Sequence, residues 1–232
     1  MALAIAWQDF GDGRASSGAA SIIDTMVLPA VSNAVLFLHV GKIHKASASL
    51  VSVSLTGETV DEISAFTNTA GDSVSVDLGS FAVRNPGGGA KTITVADDAL
   101  ARSMFWHAWL VTGVPASGYA DATHHPSPAS SSQASLAASL STTKPNGLIL
   151  ASFGWRGNDK GPFGLSAGWI EDADQSPGAS ATIDAAHHMA HRTAPTIGAY
   201  SATSTPTVAA RGGQIATAVL PSLIRRRQVI VT

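Results

Sequence analysis

From Asn33 to Leu220, apolar and polar residues alternate in short runs, each closed by Gly, Pro or Asn. A period of two places successive side chains on opposite faces of an extended chain, so such runs read as half-buried strands. Asn33–Val40, Ser49–Leu55, Ser73–Arg84, Lys91–Val95, Ser103–Val111, Gly147–Trp155 and Gln214–Leu220 fit this template best. The pattern predicts an all-β chain, with almost no segment able to form a long helix.

Within that pattern, Ala34–Val40 is nearly continuously apolar, as expected for a central strand covered on both faces. Leu50–Leu55 alternates cleanly, Thr56-Gly57-Glu58 reads as a turn and Thr59–Phe66 returns, which predicts a hairpin. Asn85-Pro86-Gly87-Gly88-Gly89 is a turn before the β-branched run Lys91–Val95. Met104–Val111 is the bulkiest stretch and is expected to supply much of the core, with Trp106 and Trp109 on opposite faces. Ala15–Ala30 is the best helix candidate. Ser16, Ser17, Gly18 and Ser21 weaken it and Pro29 stops it, so a loop with at most a short helical turn is expected. Pro115–Ser132 and Gly154–Gly168 read as loops, and Thr182–Tyr200 and Thr207–Leu220 return to strand spacing with an Ala-rich face. No short repeat occurs at solenoid or propeller spacing. The expected organisation is one sandwich domain over 33–221, preceded by an arm, strand and loop (1–32) and followed by a basic β-arm (222–232).

Composition narrows the function classes. Only 13% of the 232 residues are charged against 45% hydrophobic, much of the latter Ala, which suggests surfaces made for contact with other subunits. A net charge of −2 and the lack of a basic stripe interleaved with aromatics argue against nucleic acid as a partner. With no Cys, neither disulfides nor thiolate metal sites are available. Met1–Trp7 is apolar, lacks a basic leader and is soon followed by Asp9 and Asp12. It is too short for a signal peptide or a membrane span, and Leu3, Ile5 and Trp7 share a strand face. Synthesis in a bacterial cytoplasm, without membrane insertion, is the expectation.

Four segments in order carry a family resemblance: Asn33–Val40; Leu50-Val51-Ser52-Val53-Ser54-Leu55-Thr56-Gly57; Pro86-Gly87-Gly88-Gly89-Ala90-Lys91-Thr92-Ile93-Thr94-Val95; and Pro145-Asn146-Gly147-Leu148-Ile149-Leu150-Ala151. With Phe105–Pro115, which closes in a Gly113-Val114 corner, they resemble β-sandwich virion proteins of tailed bacteriophages and phage-derived gene transfer agents. The resemblance covers roughly residues 33–155 and extends more weakly over Thr182–Leu220. It implies an antiparallel, jelly-roll-like sandwich serving as a head spike, head decoration or tail component of a virion, in contact with copies of itself and with other virion proteins.

Candidate chemistry is sparse. His187-His188-Met189-Ala190-His191 places His187 and His191 on one strand face and His188 on the other, so the triplet cannot converge on one ion without a bend or a second chain. A polar face or interface, loosened by protonation near pH 6, is the simpler reading. Glu171, Asp172 and Asp174 resemble loop carboxylates that could wrap Ca²⁺, without the full spacing of an EF-hand; the alternative is a solvated turn. Gly164-Leu165-Ser166-Ala167-Gly168 fits Gly-x-Ser-x-Gly but lacks the flanking strand and helix of a nucleophile elbow. No catalytic residue and no cofactor are expected. Trp155, Arg156, Asn158, Asp159 and Trp169 could stack on and hydrogen-bond a sugar, giving a carbohydrate-binding module for host-surface glycans as the alternative function. Tryptophans sealing the rim of a sandwich are the competing explanation. In the tail, Arg225, Arg226 and Arg227 lead into Val229 and Val231, an arm able to add a strand to a neighbouring subunit.

Overall fold

A computed structural model describes residues 2–13, 21–44, 51–65, 75–97, 101–115, 117–124, 131–157, 160–175 and 185–222. Its strands run in two sets of eight. The first set is β1 (Ala4–Gly13), β2 (Ser21–Leu28), β3 (Ala34–His44), β4 (Val51–Leu55), β5 (Asp61–Ser64), β6 (Ser75–Arg84), β7 (Gly89–Asp97) and β8 (Ala101–Thr112). The second is β9 (Ala120–His124), β10 (Leu136–Thr142), β11 (Gly147–Arg156), β12 (Gly164–Leu165), β13 (Ile170–Gln175), β14 (Ala185–Ala194), β15 (Gly198–Thr205) and β16 (Gly212–Val219). All pairings are antiparallel.

The first set forms a five-stranded sheet β1-β8-β3-β6-β5 and a three-stranded sheet β2-β7-β4. The second forms β9-β16-β11-β14-β13 and β10-β15-β12. Adding eight to each strand number turns one arrangement into the other. The correspondence reaches single residues. Asn33 and Asn146 open β3 and β11 with left-handed φ values of 54° and 59°, and His39 matches Ser152 while Gly41 matches Gly154. Through the pairings of those two strands, His107 then corresponds to Ile215 and Leu78 to His187. Register shifts recur at equivalent places, Ile5/Trp7 with Ala218/Val219 and Glu62/Ser64 with Glu171/Ala173.

Each three-stranded sheet covers the outer face of its own five-stranded sheet. In the first half the space between them is filled by Leu36, Leu38, Val40, Ile93, Met104 and Trp106. In the second it is filled by alanines, among them Ala138, Ala151, Ala190 and Ala202, around Phe153, Trp155, Phe163 and Trp169. The two five-stranded sheets face each other across Phe37, Trp109, Leu148, Leu150 and Met189, so the layers stack 3-5-5-3.

Most predicted strands are present, and β3 is central and covered on both faces as its apolar run required. Five local expectations fail. The register shift between Ile5 and Trp7 turns Trp7 to the core of the first half while Leu3 and Ile5 pack between the two five-stranded sheets, and Gly154–Gly168 holds the end of β11 and the short strand β12. The hairpin of Leu50–Leu55 with Thr59–Phe66 does not form, because the chain crosses at Gly57 (φ 75°) from the outer sheet, where β4 pairs β7, to the inner sheet, where β5 pairs β6. The 15–30 stretch holds β2, whose Met26 and Leu28 are buried while Ile23, Thr25 and Val27 point outward. Pro115–Ser132 contains β9, an edge strand of the second inner sheet. The segment 1–32 thus contributes to two sheets through β1 and β2.

Candidate functional site

The polar groups that stand out lie in the seam between the two inner sheets. β3, β6 and β8 bring His39, Ser80 and His107 to it from the first half, and β11, β14 and β16 bring Ser152, His187 and Thr217 from the second. All six are 0% exposed. Because side chains alternate along a strand, each of these residues sits in line with apolar seam neighbours such as Phe37, Trp109, Leu150 and Met189.

The six form one chain of hydrogen bonds. Ser80 Oγ meets Thr217 Oγ1 at 3.0 Å, and Thr217 Oγ1 meets His39 Nε2 at 3.0 Å. His39 Nδ1 meets Ser152 Oγ at 2.8 Å, Ser152 Oγ meets His107 Nδ1 at 2.8 Å, and His107 Nε2 meets His187 Nδ1 at 2.8 Å. Members from the two halves alternate, so every link crosses the seam. A hydroxyl carries one hydrogen and a neutral imidazole one N–H, so each interior member donates once and accepts once. Buried polar groups satisfied in this way specify a unique alignment of the sheets.

Aromatic rings enclose the chain. His187 stacks on Phe105 (4.9 Å, interplanar 2°), and Trp109 sets its edge against His39 at 5.1 Å and His107 at 6.1 Å. Burial in this apolar surround holds the His107 imidazole well below its ordinary pKa, and the neighbouring His187, His39 and His188 push it the same way. His107 is therefore a neutral ring at pH 7. Each link of the chain therefore ties one inner sheet to the other.

At the margin of the seam, Trp109 Nε1 donates to Asp172 Oδ2 at 2.8 Å, and Asp172 Oδ1 holds His191 Nδ1 at 2.7 Å, a further tie between the halves. On the opposite face of β14, His188 meets Ser204 Oγ through Nδ1 at 3.1 Å and stacks on Phe163, with Nε2 3.3 Å from Glu171 Oε2. Burial lowers its pKa, partly offset by Glu171 and Asp174. His187 and His191 do share one face and His188 the other, as the strand period requires.

The structure revises the candidate ligand sites. Trp155 is a core side chain, 0% exposed, with Nε1 donating to Ser204 Oγ at 3.3 Å. Trp169 is 8% exposed and donates to the Ser201 carbonyl at 2.9 Å. Neither ring forms a platform for a sugar, because both seal the second sandwich. Arg156 ends β11, bonded through its backbone N–H to the Arg211 carbonyl, while Asn158 and Asp159 lie outside the described residues. Glu171, Asp172 and Asp174 are on the strand β13, not in a loop, and the register shift between Glu171 and Ala173 turns Asp172 to the seam while Glu171 and Asp174 stay on the opposite face. Asp172 turns to Trp109 and His191, Asp174 accepts the Phe163 N–H at 2.8 Å, and Glu171 approaches His188. Among the described residues no group of three or more His, Asp or Glu is placed to hold a metal ion. Ser166 accepts the Thr203 N–H at 3.0 Å, an ordinary contact within the sandwich. Arg225, Arg226, Arg227, Val229 and Val231 lie outside the described residues.

Sequence reasoning missed the seam because its members are single polar residues scattered over six strands. The available signal was a lone His within an otherwise apolar run, as in Leu38-His39-Val40 and Trp106-His107-Ala108, which marks a buried polar group needing a partner. No protein-family model, no curated protein and no solved structure matches the chain. Among the described residues no helix is long and apolar enough to cross a membrane.

Proposed function

We propose that this chain is a non-enzymatic structural protein of a phage-like particle, placed on head or tail, that assembles through the outer faces of its stack. The observation that carries the reading is the chemistry of those faces. Outward positions of the first outer sheet are Ile23, Thr25 and Val27 on β2, Ser52 and Ser54 on β4, and Thr92 and Thr94 on β7. On the second they are Ala137, Ser139 and Ser141 on β10 and Ala199, Ser201 and Thr203 on β15. None is charged. Solvent-facing sheets of soluble monomers usually intersperse charges, whereas the centres of protein interfaces are depleted in them.

Two further points support the reading. In each half the pairings nest, β1 with β8, β2 with β7 and β3 with β6, then β9 with β16, β10 with β15 and β11 with β14. That nesting supports reading each half as a jelly-roll winding, an architecture common in viral shells though not confined to them. The strand segments that resemble phage virion proteins fall on β3, β4, β7 and β11 of this scaffold.

Static light scattering of the full chain tests the proposal. A discrete oligomer is expected, with its mass reduced by Thr94→Lys or Ser201→Lys, each of which sets a charge in the middle of an outer face. A protein that stays monomeric across the micromolar range, or whose oligomer ignores both substitutions, overturns assembly through these faces. Removal of 223–232 separately tests the C-terminal arm: loss of the oligomer on truncation, with both face variants silent, assigns the contact to the arm instead.

A further inference from the structure

The seam is stitched through imidazoles, whose ring nitrogens can take up protons, and this goes beyond the assembly reading. We propose that the seam is an acid-operated latch: proton uptake by the His39, His107 and His187 set loosens the contact between the two inner sheets while each half keeps its own sandwich.

The internal repeat shows what is special about this contact. In a two-fold arrangement, if one residue meets a partner across the interface, the equivalents of both meet as well. His107 meets His187 at 2.8 Å. Their equivalents, Ile215 and Leu78, belong to one apolar cluster with Ile43, Val76 and Phe105. One contact of the pair is therefore a hydrocarbon contact indifferent to pH, and the other is two imidazoles sharing a single hydrogen. The apolar version fits the same geometry, so the imidazoles are not needed to fill the space.

Adding a proton disturbs this chain. With neutral rings, donors and acceptors alternate from Ser80 to His187. A protonated imidazole donates at both nitrogens, so every member on one side must reverse, and a second proton leaves two donors opposed or a hydroxyl hydrogen without an acceptor. The charge also sits in a dry seam walled by Phe105, Trp109 and Phe10. Among the described residues, the charged or titratable groups that face the seam are few. Besides the three imidazoles, β14 brings His191 and β13 Asp172, bound to each other. At the far margin Asp61, Arg84 and Tyr119 are paired together. Beyond β14, on its other face, lie His188, Glu171 and Asp174. Opening the seam lets water solvate the charge, and the low pKa of His107 agrees in direction. Linkage makes the opening constant rise about tenfold per pH unit for each proton taken up, hence about a hundredfold for two.

The experiment is small-angle X-ray scattering on the full chain from pH 8 to pH 4.5, with far-ultraviolet circular dichroism on the same samples. The expected result is a longer particle below about pH 6 with an unchanged strand signal. Constant dimensions, or dimensions that grow only as the strand signal disappears, overturn the latch. The double substitution His107→Ile with His187→Leu, copying the apolar contact already present at Ile215 and Leu78, is expected to move the transition down by at least one pH unit. Opening at the wild-type pH in this variant contradicts the proposal. Should that variant fail to fold, imidazole NMR of the wild type decides: protons taken up together with the opening support the latch, and uptake by the closed particle refutes it.

Discussion

Leu38 and Ala151 occupy the same place in the two halves, on the outward face of the central strand of each inner sheet, and they show how one backbone is filled in two ways. The first half packs medium-sized aliphatics layer on layer: Leu36, Leu38, Val40, Leu55, Ile93 and Val95. The second lines the same space with alanine and plugs it with a few large rings, Phe153, Trp155, Phe163 and Trp169. At the position where the first half has Lys42, the second has Trp155. What the halves share is fixed by the backbone: the left-handed Asn before the central strand, the glycine that lies against Phe105, and the register shifts. Close packing fixes the total volume of a core, not the identity of the residues that supply it.

Exchanging residues between the halves is the strongest test of this comparison. Leu38→Ala leaves a void that its aliphatic neighbours cannot fill, and should cost about 2–5 kcal/mol in urea unfolding. The reverse exchange, Ala151→Leu, overfills a space already holding Phe153 and Trp155 and should cost about 1–3 kcal/mol. A neutral result for either breaks the account of two complementary fillings.

Next in size is the shared glycine. A Cβ on Gly154 would lie 2.6 Å from Phe105 Cζ and 2.7 Å from Val76 Cγ1, two groups supplied by the other half. Gly154→Ala should therefore destabilise by about 1–3 kcal/mol, and by clearly less when combined with Phe105→Leu, a coupling readable in a double-mutant cycle.

The halves should also differ in acid. His188 in the second sandwich corresponds to Gly79 in the first, and its lowered pKa fixes the sign of the effect. The folded state resists the proton that the unfolded state accepts, so the stabilisation is complete above the ordinary histidine pKa of about 6.5 and is lost as pH falls below it. The limiting slope is about 1.4 kcal/mol per pH unit for the one proton. Hydrogen exchange at pH 5.5 is expected to speed up in β15 before β7, and His188→Gln should remove the difference. The smallest expected effect is at the entry turns: Asn33→Ala and Asn146→Ala should each cost about 1 kcal/mol, since alanine lacks the short polar side chain that lets asparagine tolerate left-handed backbone, and the two costs should agree closely.

The parts of the fold legible in the sequence were those written at a period of two. β3, β6, β8, β11 and β16 could be read because alternation and turn residues are local signals. The crossing at Thr56–Val60 could not, since a turn between two strands looks alike whether the second strand pairs with the first or passes to another sheet. β2 was obscured by the serines before it. The internal duplication was illegible because the positions that preserve it are few and the core residues differ, Leu38 against Ala151 and His39 against Ser152. Of the candidate sites, the face assignment of His187, His188 and His191 followed from strand geometry alone. The burial of Trp155 and Trp169 and the dispersal of Glu171, Asp172 and Asp174 depended on which sheet covers which face, a tertiary fact.

The central claim is that the two halves stack through the stitched seam, and the absence of cysteine allows a direct test. Ser80 Oγ and Thr217 Oγ1 stand 3.0 Å apart across it. In a Ser80→Cys, Thr217→Cys double variant, mild oxidation at pH 7.5 should close an intramolecular disulfide linking the β6 and β16 peptides, detected by peptide mass mapping. Two thiols that remain free, or that link only between molecules, would contradict the stacking of one half on the other.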